Sequence, residues 1–126
     1  VTPDLFPQTI DVASIAAGTA EDRYVTPPAL AGEWYLEAAT LLPATTDALD
    51  ASNYTTIALK NGSTVLGSLS NETVAFTAGT VRAFTLSGGK SREFTALADV
   101  LNVNKAETGS GGILDGSINL IWRRVA

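Results

Sequence analysis

The chain has 126 residues, a net charge of −5, 45% hydrophobic and 17% charged residues, and neither cysteine nor histidine. One domain with its own core fits this length. The missing residue types exclude a disulfide framework, and with it the commonest general base, metal ligand and pH switch.

The charge is unevenly placed. Residues 1–50 hold eight acidic residues against Arg23, a net of −7, whereas residues 51–126 hold seven basic against five acidic, a net of +2. Such asymmetry suits a chain that pairs with its own neighbour, although solvated charges are the plainer reading. No basic stripe is present, so no nucleic-acid partner is expected. No apolar run reaches the length of a membrane span, so no membrane partner is expected either. Val1-Thr-Pro-Asp4 lacks the basic and apolar regions of a signal peptide, which fits loss of an initiator Met or of an earlier leader.

Residues 1–32 contain Pro3, Pro7, Pro27 and Pro28, four of the five prolines. Each removes a backbone donor and biases the preceding residue toward extended geometry. The segment reads as an extended arm with one short ordered element near residues 11–18. The alternative is that it supplies the first strand or two of the body. Its aromatic and aliphatic residues argue against disorder.

Glu33-Trp-Tyr-Leu-Glu-Ala-Ala-Thr40 places Trp34, Leu36, Ala38 and Thr40 on one face at period two, and a strand is preferred over a short helix. Residues 42–50 read as a connection in which Asp47 and Asp50 bond nearby backbone. Tyr54-Thr-Thr-Ile-Ala-Leu-Lys60, Asn61-Gly62 and Ser63-Thr-Val-Leu-Gly-Ser-Leu69 together predict a β-hairpin, with Asn61 and Gly62 supplying two positive-φ positions. Further strands are expected at Thr73-Val-Ala-Phe76, Val81-Arg-Ala-Phe-Thr-Leu86, Glu93-Phe-Thr-Ala-Leu97 and Val100-Leu-Asn-Val103. A long loop is expected over residues 105–112. In Ser117-Ile-Asn-Leu-Ile-Trp-Arg-Arg-Val125, Ile118, Leu120 and Trp122 share one face. Seven or eight short strands at this spacing predict an all-β fold, a single antiparallel β-sandwich of jelly-roll or Ig-like type. The division is an arm at 1–32 and a sandwich domain at 33–126.

The candidate chemistry is thin. Glu93, Asp99, Glu107 and Asp115 lie in the body and could converge for paired acid–base work, but their spacing selects no pair. Asp47, Asp50 and Asn53 offer hard oxygens but no EF-hand register. Gly109-Ser-Gly-Gly112 lacks the Gly-Lys-Ser/Thr ending of a phosphate loop. Asn53, Asn61 and Asn71 each open an N-glycosylation triplet, better explained by turns. Trp34 and Trp122 fit core packing, while Tyr35 and Tyr54 fall opposite those faces and suit an interface. No cofactor is expected.

The phrases Ala51-Ser-Asn-Tyr-Thr-Thr-Ile-Ala-Leu-Lys-Asn-Gly62, Phe76-Thr-Ala-Gly-Thr-Val-Arg-Ala-Phe-Thr-Leu86, Asp99-Val-Leu-Asn-Val103 and Gly109-Ser-Gly-Gly112 resemble small β-sandwich proteins of tailed-phage virions. These include capsid decoration or cement proteins and head-fibre modules. The resemblance covers roughly residues 50–126 and leaves the arm aside. It implies a non-enzymatic structural protein, made in the host cytoplasm and carried on the capsid exterior. Its implied partners are the major capsid protein and its own copies, as a trimer or dimer. The expected contact residues are Leu5, Phe6, Ile10, Val12 and Tyr24 in the arm, with Arg123 and Arg124 beside the last strand. A carbohydrate- or receptor-binding module of tail-fibre or adhesin type is the alternative, and a small β-sandwich enzyme is a third.

Overall fold

The structure is a computed structural model that describes residues 5–11, 33–95, 99–109 and 115–125, together with the backbone of 21–25. Among these residues the chain forms nine strands. They are β1 (Leu5–Asp11), β2 (Glu21–Val25), β3 (Glu33–Pro43), β4 (Tyr54–Asn61), β5 (Thr64–Ser70), β6 (Arg82–Ala83), β7 (Glu93–Thr95), β8 (Leu101–Thr108) and β9 (Gly116–Arg124). All pairings are antiparallel. One sheet runs β1-β9-β3-β6, with β7 also on β3, and the other runs β2-β8-β4-β5. The fold is an all-β sandwich. The segment read as an arm contributes an edge strand to each sheet, so its extended geometry is used inside the body.

The core lies between the sheets. Trp34, Leu36, Leu41, Ile118, Leu120 and Trp122 enter from one side, and Ile57, Leu59, Leu66, Leu101 and Val103 from the other. The two tryptophans are fully buried and meet phenylalanines edge-on. Phe6 lies 5.0 Å from Trp34 and Phe94 lies 5.3 Å from Trp122, with rings nearly perpendicular, the arrangement that ring quadrupoles favour. The Trp122 indole N–H donates to Gln8 Oε1 at 2.8 Å, so burial leaves no orphan donor.

The alternation expected for β3 holds only for its first half. Leu36 pairs with Trp122 but the next partner of Ile121 is Ala38, which leaves Glu37 as an extra residue. This bulge flips the pattern, so Ala39 and Leu41 face the core while Ala38 is exposed and Thr40 is only partly buried. A second irregularity between Leu59 and Lys60 inserts Leu66 into β5.

The hairpin forms one residue later than expected. Asn61 pairs with Thr64, so Gly62 and Ser63 make the turn, with Gly62 at φ +61°. Asn61 serves a tertiary contact instead, its amide donating to Ser91 O at 2.9 Å. Thr73–Phe76 is not a strand; Phe76 makes a single bridge to Asp47. Of the segment 81–86 only β6 pairs with β3. Beyond it the chain crosses between the sheets, from Phe84 N on Ala39 O to Ser87 N on Leu66 O. The loop expected from residue 105 begins later, because Lys105, Ala106 and Glu107 pair with Ile57, Thr56 and Thr55. Gly116, at φ +149°, packs so tightly that a Cβ there would collide with Leu42 O. Residues 110–114 and 96–98 lie outside the described residues.

Lys105 is 1% exposed. Burial pushes the Asp47 carboxyl above its ordinary range, and the Lys105 ammonium pulls it partly back. Asp47 Oδ2 is buried and accepts no hydrogen bond. Removing the cation removes the opposing pull. In Lys105→Met the Asp47 carboxyl therefore titrates at higher pH than in the parent, as followed by carboxyl carbon NMR; an unchanged or lower midpoint contradicts the assignment. Leu120 is fully buried between the sheets. Leu120→Ala is expected to cost about 2–5 kcal/mol in urea unfolding, and a change below about 1 kcal/mol would contradict this packing.

Candidate partner-binding surface

The outer face of the β1-β9-β3 sheet follows from the register. Residues opposite each other on paired antiparallel strands share a face. With Ile10, Ile118, Leu120 and Trp122 inward, the outward rows are Leu5–Arg123–Tyr35, Pro7–Ile121–Ala38, Thr9–Asn119–Thr40 and Asp11–Ser117–Leu42. The two middle rows contain no charged residue. Their side chains are small or neutral, and Thr9 Oγ1 donates to Asn119 Oδ1 at 2.9 Å. The result is a level, charge-poor face.

One end of this face is built around Tyr35. Arg123 reaches it from β9, with its guanidinium carbon 4.8 Å from the ring centroid, and Arg92 reaches it from the β7 side at 4.5 Å. Strands β9 and β7 flank opposite sides of β3, so the ring stands between two cations. Arg123 Nε also donates to Glu37 Oε2 at 2.8 Å, with the side chains 34% and 44% exposed. At that exposure the ion pair contributes at most about 1 kcal/mol, and each cation–π contact about 0.5–1 kcal/mol.

Arg92 matters more to the architecture. Its Nε donates to Leu36 O at 2.9 Å and its Nη2 to Glu37 O at 3.0 Å. These carbonyls belong to the bulge, where the ladder cannot satisfy them in its regular pattern. Arg92 sits in a 3₁₀ turn, Gly89–Arg92, immediately before β7, and that position delivers its guanidinium to the bulge.

The expected contact residues fall into distinct places. Leu5 is 55% exposed at the start of β1. Phe6 is partly buried against Trp34. Ile10 belongs to the core, because β1 turns it inward opposite Ile118, so it offers no surface to a partner. Val12 lies outside the described residues. Tyr24 pairs with Asn102 through the backbone of β2. Arg123 and Arg124 end β9, with Arg124 5.7 Å from the Trp34 ring centroid. Tyr35, Glu37 and Arg92 were not among those residues. The position of Tyr35 opposite the core face was a usable signal, but nothing local in the sequence links Arg92 to a bulge 55 residues earlier.

Two of the candidate carboxylates, Asp99 and Asp50, serve the backbone. Asp99 Oδ2 accepts from Thr95 N at 2.8 Å. Asp50 Oδ1 accepts from Ser52 N at 2.9 Å and Asn53 N at 3.0 Å, and these two bonds hold its carboxyl below the usual range. Asp99 lies beyond β7 and Asp115 just before β9, which the topology puts at opposite ends of the sandwich. Among the described residues no group of three or more acidic side chains is placed to hold a metal. Both tryptophans are buried and guanidiniums lie against the Tyr35 ring, so none of these three rings is an open stacking platform for a sugar, while Tyr54, the fourth aromatic candidate, is half-buried at the start of β4.

No family model matches the chain, and no curated protein matches it. Three solved structures are similar in outline. One comes from work on Bacillus endospore appendages, described as a novel family of disulfide-linked pili, with a TM-score of 0.46 and 13% identity over 98% of this chain and 87% of that one. A second is Desmodium yellow mottle tymovirus, with a TM-score of 0.41 and 12% identity over 98% and 89%. The third is carbohydrate-binding module CBM36 in complex with calcium and xylotriose, with a TM-score of 0.34 and 15% identity over 90% and 97%. At these scores and identities no functional statement rests on them.

Arg92→Ala should destabilise the protein by about 1.5–3 kcal/mol, the range for hydrogen bonds to a charged group. Lysine has no planar fork, so Arg92→Lys should recover less than half of that loss. Denaturant unfolding of the two variants tests this; full rescue by lysine would show that charge alone matters here.

Proposed function

We propose that this protein is a non-enzymatic structural component of a virus particle. It binds the exterior of the capsid lattice and reinforces it as a decoration or cement protein, with the major capsid protein as its partner. The observation that carries this reading is the charge-poor face formed by Pro7, Thr9, Ala38, Thr40, Asn119 and Ile121, ending at Leu5, Tyr35 and Arg123. Stable interfaces deplete charge at their centre and favour tyrosine and arginine. A reinforcing protein needs such a face on a rigid body, and it needs no reacting group.

Contact by the face is favoured over extension of the sheet. The free edge of β1 carries Pro7, which has no backbone donor and blunts that edge against strand addition. The phrases of residues 50–126 that resemble tailed-phage virion proteins point to the same class of partner.

The test is co-sedimentation with capsids assembled from the major capsid protein encoded beside this chain. The parent should bind saturably and raise the temperature at which the capsids come apart. Ile121→Lys places a charge at the centre of the face and should weaken binding by about tenfold or more, equivalent to roughly 1.4 kcal/mol. Ser68→Lys, on the other sheet, should leave binding unchanged. Absence of binding by the parent, or equal losses in both variants, would overturn the proposal.

A further inference from the structure

We infer that copies of this chain dock end to end, with the β4–β5 hairpin end of one sandwich against the opposite end of the next. Four of the exposed large aliphatic side chains, Leu5, Val65, Val100 and Val125, lie at the end where β1 and β5 begin, β8 is about to begin and β9 has finished. The other four, Leu42, Leu49, Val74 and Val81, lie at the far end, along the finish of β3 and the loops around it. Among the described residues these eight are all the exposed large aliphatics; Leu5 and Leu42 close the two ends of the outer face of the β1-β9-β3 sheet, and the middle rows of that face hold none. Scattered exposed aliphatics are ordinary. Their division between the two ends is the informative feature.

The ends also differ in charge. Lys60, Lys90, Arg92, Arg123 and Arg124 gather at the hairpin end, against Glu33, Glu37, Glu93 and Asp99. The far end carries Asp11, Asp47, Asp50, Glu72, Glu107 and Asp115. Arg82 is its one surface cation among the described residues, tied there to Ser70 O and Val74 O, while Lys105 is buried. The nine residues of β9 span roughly 30 Å, well beyond the Debye length of about 8 Å at physiological salt. The ends of one copy therefore do not neutralise each other.

This charge pattern selects the geometry of association. Two acidic ends repel, which disfavours a two-fold pairing through them. An acidic end against a hairpin end, whose five cations slightly outnumber its four carboxylates, avoids that repulsion and brings the exposed aliphatics of the two ends together. Such a contact is heterologous, so it closes into a ring or continues as a filament. The inference uses the ends and leaves the middle rows of the outer face free, with Leu5 and Arg123 shared at the hairpin end, and it does not depend on the capsid reading. Purified protein alone tests it.

Two double variants each disable one end: Leu49→Asp with Val74→Asp at the acidic end, and Val100→Lys with Val125→Lys at the hairpin end. All four positions are exposed, and circular dichroism verifies that each variant is folded. In sedimentation velocity at about 100 μM, a concentration that reveals contacts of micromolar affinity, the parent should form species larger than a dimer that dissociate as salt is raised. Each variant alone should be monomeric. Their equimolar mixture should stop at a dimer, because each keeps one competent end. A monomeric parent, oligomers in either variant alone, or a mixture that stays monomeric would overturn the inference.

Discussion

The bulge at Glu37, held by the Arg92 guanidinium, is the constraint on which the rest of the sheet depends. Strand β3 is central, flanked by β9 on one side and by β6 and β7 on the other. Without the extra residue its regular alternation would send Ala38, Thr40 and Leu42 inward with Trp34 and Leu36. Leu41 and Ala39 would then leave the core opposite Ile118 and Leu120. The bulge keeps large side chains inward along the whole strand. It simultaneously places Ala38 and Thr40 on the outer face, so the middle rows of that face carry no charge. Core packing and surface character are thus two results of one local irregularity.

The polar groups inside the sandwich anchor the acidic end. Thr55 N donates to Asn71 Oδ1 and Asn71 Nδ2 donates to Ala48 O, both at 2.9 Å. Asp47 N and Phe76 N exchange bonds with each other's carbonyls, and Arg82 caps Ser70 O and Val74 O while lying 5.0 Å over the Phe76 ring. These contacts fasten the loops 44–53 and 71–81 to the body. Loops fastened in this way can present Leu49 and Val74 in fixed positions, so docking would require little ordering of the chain.

Much of the fold was legible in the sequence where neighbours in the chain decide the structure. The period-two pattern of Ile118, Leu120 and Trp122 needs only β geometry, and the Asn-Gly signal located the hairpin to within one residue. What escaped depends on partners distant in sequence. The bulge in β3 is held by Arg92 from 55 residues away, Leu66 is an extra residue only by comparison with its partner strand, and β8 runs through Thr108 because β4 offers it a ladder. The surroundings of the expected contact residues were partly legible for the same reason. Leu5, Arg123 and Arg124 lie at strand ends and can be read as exposed, whereas the inward turn of Ile10 depends on its register with Ile118.

The proposed function and the inferred docking both rest on surfaces: a charge-poor face, and two ends that differ in charge and each carry exposed aliphatics. The most direct measurement is a cryo-EM reconstruction of capsids incubated with saturating purified protein. Ordered density for the sandwich is expected on the outside of the lattice, with the Pro7–Ile121–Ala38 row turned toward the capsid. Bare capsids, or density that approaches the lattice through the β4–β5 sheet, would contradict it.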